Sequence, residues 1–184
     1  MKQDIVQTIH LQVERIEQLF NSLDPTPFVG RDLDPQAEDF ITGWAEELPH
    51  KGAFRIKVTV AECPQLEPAR TRLQQAVKSY YLSRVEAQRL QLRQLFRNGR
   101  WSLLIGVSFL IACHLLSSYL ELQFAADSLL GVLAHGLVIA GWVAMWRPIQ
   151  IFLYDWWPLQ RKRKLYQRLA GASVAVEVFH NMHQ

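Results

Sequence analysis

Apolar positions recur along this chain in three different rhythms, and each rhythm predicts a different kind of element. Ile9, Leu11 and Val13, then Phe54, Ile56, Val58 and Val60, then Val174, Val176 and Val178 alternate with polar neighbours. That is the pattern of strands with one buried face. The three stretches are expected to pair in one short sheet, which would bring the two ends of the chain together. The first stretch has a second reading, because Ile5, Ile9, Val13, Ile16 and Phe20 also fit a helical face, so residues 6–14 could be strand or helix.

The second rhythm is helical. Asp34 can cap a helix that Pro35 opens, and Glu38 and Asp39 suit the positive end of its dipole. Phe40, Ile41, Trp44, Ala45 and Leu48 then supply an apolar face. From Glu67 to Arg100, Leu73, Val77, Tyr81, Val85, Leu92 and Phe96 form the stripe of one long helix, with Arg84, Arg89, Arg93 and Arg97 on the other side. This helix is expected to run on into the segment that follows it.

The third rhythm has no period. Trp101–Leu120 contains twenty residues without a charge, and Ser128–Trp146 nineteen more. At about 1.5 Å per residue, such helices span roughly 30 Å of hydrocarbon. Two in tandem leave a soluble chain too little polar surface to cover them. The expected fold is an α+β membrane protein, a two-helix transmembrane hairpin plus a small cytoplasmic domain with about three strands packed on helices. Residues 1–100 form the cytoplasmic part with its long membrane-proximal helix. Residues 101–120 and 128–147 are the spans, 121–127 the external loop, and 148–184 a basic interfacial helix followed by the returning strand.

Charge sets the expected orientation. Arg93, Arg97 and Arg100 precede the first span, and Arg147, Arg161, Lys162, Arg163 and Lys164 follow the second, whereas Glu121–Asp127 holds two acids and no base. The positive-inside rule then puts both termini in the cytoplasm. Trp142, Trp146, Tyr154, Trp156 and Trp157 cluster where the second span would meet headgroups, as an aromatic anchor does. After Pro148, which is expected to break the helix, the basic cluster would reach lipid phosphates while Ile149, Phe152 and Leu153 face lipid or the domain. Asp155, an acid among aromatics, is expected to pair with Arg147 or Arg161, or else to form part of a headgroup or polar-ligand site.

Within the spans, Gly136, Ala140 and Ala144, with Gly131, Ala134 and Gly141 beside them, form small-residue faces that allow close helix approach. They could pack on Gly106, Ser108 and Ala112 of the first span, on a second copy, or on both. His114 and His135 are expected at one depth in the outer half of the bilayer. With Cys113 they are weak candidates for a metal or proton site, the alternative being a single hydrogen bond or a water contact.

The net charge of +3 is mild: fourteen bases nearly balance thirteen acids over the first hundred residues. The remaining basic residues cluster where headgroups already explain them, so no nucleic-acid partner is expected. Cys63 and Cys113 form no disulfide framework. The first twenty residues carry charges throughout, unlike a signal peptide, and the first apolar run is expected to serve as the insertion signal. Asp24, Asp32, Asp34, Glu38 and Asp39 lack the central Gly and closing Glu of a calcium loop, so turn and capping roles are expected instead.

QLFNSLDPTPF with RDLDPQAEDFITGWA, then GRWSLLIG, then GWVAMWRPIQIFLYDWWPLQRKRKLY resembles a family of uncharacterised bacterial inner-membrane proteins with two transmembrane helices. The resemblance covers most of the chain and implies a bacterial plasma-membrane setting, with no activity or catalytic residue to carry over. There is no phosphate loop, Gly-x-Ser-x-Gly elbow or His-Glu-x-x-His, and no carboxylate in either span. The leading expectation is a non-enzymatic binding or assembly module with no cofactor, in contact with membrane lipids and with itself or another membrane protein. Two alternatives stand beside it. One is an oligomeric channel lined by His114, His135 and the serines at 108, 117 and 118; the other is a lipid-acting enzyme using Arg147, Asp155 and Arg161.

Overall fold

The computed structural model describes residues 6–21, 32–48, 52–61, 66–124 and 129–179. Cys63, Asp24 and residues 125–127 of the expected loop lie outside these residues, while residues 121–123, expected in that loop, are the end of α2. The elements are β1 (Val6–Val13), α1 (Pro35–Glu47), β2 (Ala53–Val60), α2 (Leu66–Gln123), α3 (Leu129–Ala144), α4 (Trp146–Gln150), α5 (Trp156–Ala170) and β3 (Ser173–Val178). A π-helical turn, Ile151–Asp155, joins α4 to α5. The chain divides into two compact units, residues 1–87 with 161–184, and residues 88–160.

All three expected strands form, and β1 is a strand rather than the start of a helix. They make one sheet in the order β1-β2-β3 with both pairs parallel. Parallel neighbours require crossovers. α1 lies in the first; the second leaves along α2 and returns along α5, so both apolar runs are inserted into it. The register aligns Ile9, Ile56 and Val174 in one row and Leu11, Val58 and Val176 in the next. These six side chains are buried with Leu73, Val77 and Tyr81 of α2 and Leu165 and Leu169 of α5. The opposite sheet face carries His10, Gln12, Arg55, Lys57, Thr59 and Glu177, all partly or fully exposed. Lys57 and Glu177 pair across it at 2.8 Å.

Side chains of α2 and α5 fasten the ends of this sheet. Gln74 accepts from the Val174 amide at 2.8 Å and donates to the Ala172 carbonyl at 2.9 Å, while Arg70 Nε donates to the Val174 carbonyl at 3.2 Å. They act on β3 as a neighbouring strand would, satisfying the backbone of a free edge. Arg168 lies over the Phe54 ring, 4.1 Å from its centroid, and donates to the Gly52 carbonyl at 3.1 Å. Gly52 has φ 120°, a conformation that side chains strongly disfavour, which explains a glycine immediately before β2.

α1 begins as its sequence dictates, with Asp34 accepting from the Gln36 amide at 2.9 Å and Pro35 in the first turn. Its apolar face is only half used, however. Ile41 and Ala45 are buried, whereas Phe40 and Trp44 are about half exposed, with their ring centroids 6.1 Å apart.

Candidate membrane-interface site

The apolar runs form helices long and apolar enough to cross a bilayer, and only 17% of the most apolar window of each is buried. Their buried positions are small or weakly polar: Gly106, Cys113 and Ser117 on α2, and Gly131, Ala134 and Gly141 on α3. Leu104, Ile105, Ile111, Leu133 and Ile139 are exposed. A Cβ at Gly141 would stand 2.9 Å from Leu110 Cδ1, and one at Gly106 would stand 3.3 Å from the Ala144 carbonyl. The glycines therefore set how closely α2 and α3 approach. Gly99, Gly106 and Cys113, like Ala134, Gly141 and Pro148, recur every seven residues, the spacing of a two-helix seam.

Of the small residues expected to pack, Ala144 alone of the first three touches this seam, through its carbonyl. Gly136 and Ala140 are exposed, and a Cβ at Gly136 would meet nothing within 4 Å among the described residues. His114 and His135 are exposed as well. His135 Nδ1 lies 2.9 Å from the Gly131 carbonyl of its own helix. Cys113 is buried in the seam. Among the described residues, no group of three His, Cys, Asp or Glu side chains could hold a metal ion.

The interruption expected at Pro148 falls earlier, at Met145, and the helix resumes at Trp146. A proline ring clashes with the carbonyl four residues before it, here that of Ala144, and α3 ends at Ala144. Pro148 itself sits in the first turn of α4, where its missing N–H would have no helical partner in any case. The Met145 amide closes the gap by donating to the Trp142 carbonyl at 3.0 Å.

The π turn that follows changes which side chains share a face. Eight residues at about 100° each would leave Asp155 about 80° around a regular helix from Arg147. A π turn winds through fewer degrees per residue and reduces that offset. Arg147 Nη1 donates to Asp155 Oδ2 at 3.3 Å, so Arg147 is the partner that Asp155 takes. The Trp156 indole donates to the Phe152 carbonyl at 3.0 Å, inside the widened turn. Trp142, Trp146, Tyr154 and Trp157 are all exposed by more than half. Trp156 is partly covered, its ring 5.5 Å from that of Trp157.

α2 meets the same segment. Phe96 and Phe152 have centroids 6.2 Å apart, and a Cβ at Gly99 would stand 2.8 Å from Ile151 Cγ2. Arg93, Arg97 and Arg100, beside these contact residues, are exposed. So are Arg161, Lys162 and Lys164 on α5; Arg163 is partly buried, with no partner for its Nε among the described residues.

One polar cluster escaped the sequence reading. Glu38 of α1 accepts from the Tyr80 hydroxyl at 2.5 Å and from Arg84 Nη2 at 2.6 Å, and Arg84 Nε donates to the Tyr80 oxygen at 2.9 Å. Burial, reinforced by Glu38, pushes the Tyr80 phenol well above its ordinary value. Burial works against the Arg84 charge, but the bonds to Tyr80 and Glu38 outweigh it and raise that group too. The cluster locks α1 to α2. The i,i+4 spacing of Tyr80 and Arg84 was its only trace in the sequence.

Comparison of the chain with protein-family models, with curated proteins and with solved structures finds no match.

Proposed function

We propose that this chain is a membrane-tethered, non-enzymatic binding module that self-associates, in the bacterial inner-membrane setting that its sequence resemblance implies. The observation that carries this reading is the inverted composition of the hairpin, apolar outside and small or weakly polar inside, inserted into a crossover of an ordinary sheet domain. Insertion there leaves both ends of the chain in the sheet domain, on one side of the membrane. The basic flanks make that side the cytoplasm. The hairpin anchors, and the domain offers its polar sheet face and the Phe40–Trp44 pair to partners.

Self-association is supported by the exposure of Gly136 and Ala140, which the α2–α3 seam leaves unused. Small residues facing lipid let a second helix approach to backbone distance, and packing of this kind drives association in bilayers. The test is native mass in mild detergent and in nanodiscs. A defined oligomer is expected, reduced to monomer by Gly136→Leu with Ala140→Leu. A wild-type monomer would sink the proposal, and with it any pore lined by His114 and His135, because two spans cannot enclose a pathway.

A further inference from the structure

The contact between Arg147 and Asp155 has a ligand chemistry of its own. We infer that this pair receives the headgroup of a zwitterionic aminophospholipid, Arg147 taking the phosphate and Asp155 the primary ammonium. The inference rests on the membrane reading above and names the lipid class that the interface would select.

An exposed arginine beside tryptophans would suit any phospholipid phosphate. A carboxylate 3.3 Å from it changes the preference, because Asp155 opposes the negative charge that Arg147 attracts. A purely anionic headgroup would satisfy one member of the pair and repel the other. A phosphoethanolamine group satisfies both. Among the described residues Asp155 engages only Nη1 of the guanidinium, which leaves further N–H donors for phosphate oxygens, and Asp155 Oδ1 remains to accept from an ammonium. Both side chains are accessible, at 64% and 33%. Trp146, Tyr154 and Trp157, exposed beside them, are the residues whose amphipathic rings settle at headgroup level, which favours a membrane lipid over a soluble phosphodiester. The π turn gives the arrangement its cause, since a regular helix would carry the two charges on different faces.

The experiment reconstitutes the full chain in nanodiscs containing equal parts of phosphatidylethanolamine, phosphatidylglycerol and phosphatidylcholine. Lipids retained after release of the protein are then counted by native mass spectrometry. Wild type is expected to retain phosphatidylethanolamine several-fold over both others. Asp155→Asn should lose that preference while still retaining phosphatidylglycerol, and Arg147→Gln should retain little of any. Equal retention of phosphatidylcholine, whose quaternary ammonium has no N–H to donate, would overturn the assignment in favour of the aromatic rings. Preference for phosphatidylglycerol would overturn it outright. Displacement of bound lipid by soluble glycerophosphoethanolamine would overturn the lipid as its source. If the chain instead washes off vesicles with alkaline carbonate, the hairpin does not span, and the membrane reading fails first and separately.

Discussion

The sheet domain and the apolar hairpin are built to opposite rules. In the domain, Ile9, Ile56, Val58 and Tyr81 are inside and His10, Arg55 and Glu177 are outside, the arrangement that water imposes. In the hairpin, Ile105, Ile111, Leu133 and Ile139 are outside, while Cys113, Ser117, Ala134 and Gly141 are inside. Ser117 even donates to Glu121 from within its own helix, at 3.2 Å. Burial of large apolar side chains stabilises the first region. Close backbone approach through small residues stabilises the second, as expected where the surrounding solvent is itself apolar.

The sharpest way to break this comparison is a pair of substitutions. Ile56→Ala, at the centre of the sheet core, should cost about 2–5 kcal/mol, seen as a lower melting temperature of the domain. Ile111→Arg alters a residue at the middle of the first apolar run that is 53% exposed. On a water-facing surface such a change would stay within about 0.5 kcal/mol. In a bilayer it should cost about 2.5–3.5 kcal/mol and lower the inserted fraction, measured by resistance to carbonate extraction. A silent Ile111→Arg would remove the distinction between the two regions.

A smaller effect separates the two small-residue faces of α3. Gly141→Ile should push α2 and α3 apart at a cost of about 1–3 kcal/mol, read as lost energy transfer between dyes at the two ends of the hairpin. Gly136→Ile should leave that signal unchanged and act only on assembly.

The smallest effect concerns pH and the domain alone. Burial raises the phenol groups of Tyr80, Tyr81 and Tyr166 above the ordinary tyrosine value of about 10. Their protonated forms are therefore favoured by folding. The resulting stability is complete below about pH 10 and falls as pH rises toward the higher native values. Denaturant melts between pH 9 and 12 should show this decline, and Tyr80→Phe should make it shallower.

Much of this contrast was legible in the residues. Alternation located β2 and β3, because a half-buried strand must repeat every second residue, and left the first stretch open between the strand that forms and a helix. Strand direction was not legible, since Ile56 between Ile9 and Val174 reads the same in parallel and antiparallel sheets. Uncharged runs located the two helices long and apolar enough to cross a bilayer, but α3 has two small-residue faces, and only the packed partner shows that Gly131, Ala134 and Gly141 are the ones used. The π turn was hidden for a related reason. IFLYD contains no residue whose chemistry demands a wider turn, so charge alone left Asp155 between Arg147 and Arg161, and helix geometry was needed to choose Arg147. Phe40 and Trp44 share the apolar face of α1 with Ile41 and Ala45, and their exposure reflects a narrow contact for α1, which the Glu38–Tyr80–Arg84 cluster ties down instead.

Nitroxide scanning in reconstituted vesicles would show whether the two apolar helices are bathed in lipid. Labels at 105, 111, 133 and 139 should be accessible to oxygen and shielded from a water-soluble nickel complex, whereas labels at 113 and 134 should be shielded from both. Access of the nickel complex to the first set would place those faces in water and contradict the account.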